Sequence, residues 1–218
     1  MRELSFIKQN QIPRILLNKK SYFCEAMRKI NFRYILTRIK HLLTNPEAEW
    51  LKIKEEDSAR DQLFRDYVII PSALFSILVV LLRLLNTDLM IAVGWGVINF
   101  ISCTIGTYIC FRASKEYLSN KIQNHGKIAI YLSIYSSAIF IVFHSLSVGF
   151  THNFIGDVMA ILSLFSLRTL YTGLNTISTL NTRFKKSAVI IIGLLIICTP
   201  VIIMSLLTIV FRIPAINA

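Results

Sequence analysis

The sequence predicts an all-α, polytopic membrane protein: a bundle of five transmembrane helices preceded by an amphipathic juxtamembrane helix. Three observations predict it. Of 218 residues, 54% are hydrophobic and 17% charged, with mean hydropathy +0.58, which lies outside the range of soluble domains. Five apolar runs, at residues 67–85, 89–111, 128–150, 154–174 and 188–211, each approach the roughly 20 residues a helix needs to cross about 30 Å of hydrocarbon. The loops between these runs alternate between cation-rich and cation-free, as membrane orientation rules require.

Residues 1–44 form a basic arm in which Phe23, Met27, Ile30 and Tyr34 recur at helical spacing, with Arg28, Lys29 and Arg33 on other faces. A partly helical, amphipathic arm resting on anionic lipid headgroups is one reading, and a flank that only sets orientation is the other. The formal net charge of +12 would suggest nucleic acid in a soluble protein. Here Phe32 and Tyr34 make no base-stacking platform, so no nucleic-acid partner is expected.

Residues 45–66 read as the juxtamembrane helix. Asn45 suits an N-cap, Pro46 the first helical position, and Glu47 and Glu49 the positive helix end. Trp50, Ile53, Ala59, Leu63 and Phe64 stand among many charges, which predicts a helix along the membrane surface with Trp50 at headgroup depth. Glu55, Glu56, Asp57 and Asp61 alternate with Lys52, Lys54 and Arg60 and read as a solvated face rather than a metal or acid/base site.

The five runs lack the short alternation of barrel strands, so they are read as helices. Fourteen of the 24 Lys and Arg residues lie in 1–66, four in 112–127 and three in 175–187; the turns 86–88 and 151–153 hold none. The amino terminus is therefore predicted in the cytoplasm and the carboxyl terminus outside. The three-residue outer turns predict two antiparallel hairpins, and Ser102, Gly106 and Cys110 form a small-residue stripe suited to close helix contact.

Polar residues inside membrane segments are the default functional candidates. His144 and Asp157 fall toward the outer side with His152 between them and Arg83 nearby, a potential cluster for a cation or proton. Arg168 is within snorkelling reach of the inner headgroups, and Asn99 suits an interhelical hydrogen bond. Asn99, His144, Asp157 and Arg168 are the residues a small transporter or channel subunit would use. No HExxH, Walker loop, dinucleotide glycine pattern or GxSxG with partners is present, and the four cysteines show no paired spacing. The chain is read as non-enzymatic, with no cofactor and no metal.

The run Leu42-Leu43-Thr44-Asn45-Pro46, the Trp50, Ile53, Glu56 spacing, Tyr67 with Pro71, and the sequence Leu170-Tyr171-Thr172-Gly173-Leu174 closing the fourth run together resemble bacterial members of the Yip-domain family. The resemblance covers about residues 40–212, with Pro46, Trp50, Ile53, Glu56, Pro71, Tyr171, Gly173 and Leu174 as its motif positions. It departs at Asn175, where a helix breaker is the pattern, and at Arg168. The resemblance implies a non-enzymatic integral membrane protein, and the chain is read as a scaffold or interaction partner in a bacterial inner membrane, with a membrane or cytosolic protein partner. Eukaryotic relatives engage small membrane GTPases, but no residue here identifies such a surface.

Overall fold

The computed structural model describes residues 32–212 apart from 57–58, 120, 122–123, 151–153 and 179. The chain divides into two compact units, Met1–Leu36 and Thr37–Ala218. Within the first, the described residues are helical and belong to α1 (Phe32–Thr44), which runs across the boundary. The arm positions Phe23, Met27 and Ile30 lie outside the described residues, and Tyr34 is 51% exposed. Ile35 is buried, and within the second unit α1 buries Arg38, Ile39 and Leu42.

The predicted juxtamembrane helix is two pieces rather than one. Helix α2 (Pro46–Glu55) begins as expected, the Asn45 side chain accepting from the Ala48 backbone N–H with Pro46 in the first turn. It stops because the backbone becomes extended at Glu56, and Ala59 is extended too. The next helix, α3 (Arg60–Phe64), passes through a wider π-turn, Arg65–Ile69, into α4 (Ile70–Arg83). Pro71 accounts for the wide turn: it has no N–H to give to the preceding turn, and the Ile70 N–H reaches back five residues to the Arg65 carbonyl. The first crossing therefore starts at Arg60, seven residues before the apolar run.

Four further crossings follow. They are α5 (Leu89–Ser119), α6 (His125–Gly149), the pair α7 (Phe154–Leu162) and α8 (Phe165–Ile177), and α9 (Thr182–Val210). Five helical segments are thus long and apolar enough to span a membrane, and the chain is a multi-pass membrane protein. Helices α5 and α9 outrun their apolar runs at one end, adding polar turns that the run boundaries did not contain. The fourth crossing is broken, where one helix was predicted. Around Ser163 and Leu164 the backbone bonds shorten to i→i+3 spacing, and the Ser163 hydroxyl donates to the Ala160 carbonyl at 2.6 Å, competing with the regular ladder.

Helix α6 is the centre. Every residue from Tyr131 to Ile141 is buried, and α4, α5, α7, α8 and α9 all pack on it. Apolar residues on the outer helices, among them Ile77, Leu81, Met90, Ile190 and Leu206, face outward, as lipid contact requires. Without a hydrophobic drive inside lipid, contact depends on small residues and hydrogen bonds. At Gly106 of the small-residue stripe, an added Cβ would meet Pro200 of α9 at 2.7–3.0 Å, which is why α5 and α9 can approach there.

Asn99 ties three crossings together. Its buried amide nitrogen donates to Ser76 Oγ on α4 and to Ser145 Oγ on α6, both at 2.9 Å. Asn99→Leu removes both bonds, and intramembrane bonds of this kind contribute about 0.6 kcal/mol each. The variant is expected to lose about 1 kcal/mol of stability, read as a lower unfolding midpoint in detergent, with the fold retained.

Candidate functional site

The site is the seat of the hairpin formed by the 37–44 part of α1 and by α2. Trp50 and Ile53 stand three apart on α2, on the face it turns inward, and both are fully buried. The Trp50 indole Nε1 donates to the Thr169 carbonyl of α8 at 3.0 Å. Its ring meets Tyr135 of α6 edge-on, with centroids 5.8 Å apart. Gly173 completes the seat: a Cβ there would lie 2.5 Å from Trp50 Cε2 and Cζ2 and 3.0 Å from Leu132 Cδ2. Only a residue without a side chain leaves room for the indole.

Charge closes the other side. Arg38 of α1 donates Nε to Glu49 at 3.0 Å and forks both terminal nitrogens onto Glu56, at 2.8 and 2.6 Å. Its guanidinium also lies 5.5 Å from the centroid of Tyr135. Glu49 is held in addition by Lys52 at 3.3 Å and faces His41 at 3.6 Å. The Glu56 carbonyl accepts from the Tyr131 hydroxyl at 2.8 Å, fastening the end of α2 to α6. Burial works against the Arg38 charge, but the Glu56 hydrogen bond, with Tyr135 and Tyr67 beside it, outweighs that and holds the pKa above the ordinary arginine value.

These contacts correct two expectations. Trp50 is enclosed by protein rather than placed among headgroups, because α2 packs on α8 and α6 offers it an aromatic wall. Glu56 belongs to a buried ion network rather than a solvated face, whereas Glu55, Arg60 and Asp61 are exposed as predicted. Asp57 lies outside the described residues.

Of the motif positions, Pro46, Trp50, Ile53 and Glu56 on the hairpin and Gly173 and Leu174 on α8 belong to elements that pack together, all buried except Glu56, which is half-buried. Pro71 is buried beyond the π-turn, and Tyr171 is 51% exposed on α8. The polar candidates are not gathered. Asn99 is committed to Ser76 and Ser145, and the His144 ring stacks on Phe140 with centroids 4.8 Å apart. Asp157 and Arg168 are exposed, and His152 lies outside the described residues. Arg83 serves a structural end: it donates Nε at 2.9 Å to the Val148 carbonyl, near the close of α6, and lies 4.4 Å from the Trp95 ring centroid. Among the described residues no group of three His, Cys, Asp or Glu side chains is placed to hold a metal ion.

Sequence reasoning missed Arg38, Glu49, Thr169, Tyr131 and Tyr135 as members of this site. Tyr131 and Tyr135 carry a signal of their own, a four-residue spacing that puts two polar-tipped rings on one helix face. The class defined by fold and site is a multi-pass helical membrane protein with a polar hairpin docked on its bundle. Comparison with protein-family models, curated proteins and solved structures found no match, and the likeness to the Yip-domain family rests on the motif residues themselves.

Proposed function

We propose that this protein is a non-enzymatic scaffold of the Yip-domain type in a bacterial inner membrane, with its amino terminus in the cytoplasm and its carboxyl terminus outside. The observation that carries the reading is the seat of Trp50 against Gly173 and Thr169, which holds α2 in one pose. A helix held in one pose offers a partner a preorganised surface. The opposite face of α2 is exposed at Glu47, Leu51 and Lys54, with the apolar Leu51 at 55%, a mixed surface of the kind protein partners use. The cation distribution supports the orientation, and the basic arm fits contact with anionic headgroups.

A photo-crosslinker at Leu51 of the full-length protein in native membranes is expected to give a discrete adduct that disappears when Gly173→Leu displaces the hairpin. An adduct indifferent to that substitution, or none, removes the scaffold reading. Purified protein in proteoliposomes is expected to support no ion or solute flux. Flux that falls on Asp157→Asn with His144→Gln would make the protein a transporter instead.

A further inference from the structure

We propose that the end of the bundle where α5 finishes and α9 begins is a binding site for the headgroup of an anionic phospholipid. Helices α5 and α9 run antiparallel and meet at Gly106 and Pro200. Beyond that crossing α5 ends at Ser119, two residues before Lys121, and α9 begins at Thr182, two residues before Phe184. They arrive together: the Lys121 ammonium lies 3.5 Å from the Tyr117 ring centroid and 5.5 Å from that of Phe184. In sequence, the stretches 112–127 and 175–187 contain seven Lys and Arg residues and a single acid, Glu116.

Arg112, Lys121, Arg183 and Lys186 are exposed, and Lys121 is positioned by aromatic faces, which orient an ammonium without neutralising it. Arg183 and Lys185 flank Phe184, which is 49% exposed, the pairing of aromatic and cation that settles at headgroup depth. On the bundle side of the patch, α9 exposes Ile190 and Leu194, apolar surface for the acyl chains of the same molecule. Charge above and hydrocarbon below on one strip of protein fit a phospholipid better than a free anion. The site needs no assumption about which leaflet it faces.

The test is a titration of the delipidated full-length protein in detergent with phosphatidylglycerol or phosphatidylcholine, read as lipid adducts by native mass spectrometry. Phosphatidylglycerol is expected to be retained selectively. Its apparent affinity is expected to fall at least tenfold in the combined variant Lys121→Gln, Arg183→Gln, Lys186→Gln and to stay unchanged in Arg60→Gln, an exposed cation at the start of α3. All three patch positions are exposed, so the variant keeps its core. Equal retention of phosphatidylcholine, an unaffected patch variant, or an equal loss in Arg60→Gln overturns the proposal. So does full competition by inorganic phosphate at the lipid concentration, which would make free phosphate the occupant.

Discussion

Trp50→Ala is expected to release the hairpin while leaving the five-crossing bundle folded. Truncating a fully enclosed aromatic in a water-facing core costs about 3–5 kcal/mol. Here the released helix can rest on the membrane surface, where amphipathic helices are favoured, so the net loss is smaller, about 2 kcal/mol. The loss falls on a local opening rather than on global unfolding, because α2 joins the bundle through its packing on α8 and the Glu56 anchor on α6. Limited proteolysis between residues 55 and 60 reads that opening directly, and the thermal midpoint of the bundle should move little. Gly173→Ala acts from the opposite wall: its Cβ would enter the ring of Trp50 at 2.5 Å, an overpacking that costs about 1–3 kcal/mol. If the two residues share one seat, their effects cannot add, since the cavity left by Trp50→Ala accommodates the new methyl. The double variant is expected to be no more open to protease than Trp50→Ala alone. Fully additive cleavage rates would mean that the seat is not the element that holds the hairpin.

How much of this was legible depends on the length scale of each signal. The five crossings are long periodic runs whose apolar character decides their fate in lipid, and their largest end shifts come where polar turns extend a helix, as at Arg60, Ser119 and Thr182. The hairpin was half legible. Trp50 and Gly173 both stood out, but nothing local says that residues 123 positions apart in the chain will touch, so Trp50 was assigned the environment its chemistry prefers when alone. Arg38 was invisible, since in a run with Arg33 and Lys40 only the fold distinguishes the arginine that meets two carboxylates. The break at Glu56 follows from the same tertiary contact: Arg38 and Tyr131 hold that residue in an extended backbone against the helical preference of its neighbours. The breaks at Ser163 and the wide turn before Pro71 had visible causes, a hydroxyl and a missing N–H, whose effect on register only the packed structure determines.

Arg38→Met tests whether the ion network holds the hairpin or merely fits it. The Arg38 and Glu49 side chains are 3% and 7% exposed, so removing the cation leaves Glu49 buried with only the peripheral Lys52 and His41 as partners, and Glu56 without its bidentate donor. Breaking a buried pair from one side costs about 3–5 kcal/mol, most of it from the charge left behind, whereas replacing the whole set with apolar groups is often neutral. The single variant is therefore expected to open the hairpin more severely than Trp50→Ala. The triple variant Arg38→Met, Glu49→Met, Glu56→Gln should recover much of the closed state, because no uncompensated charge remains and Trp50 still occupies its seat. Protease sensitivity between residues 55 and 60 ranks the three proteins. If the triple variant is as open as Arg38→Met, the network supplies the closing energy itself. If it closes again, the apolar seat supplies the affinity and the ions specify the pose, because only one placement of α2 brings both carboxylates to a single guanidinium.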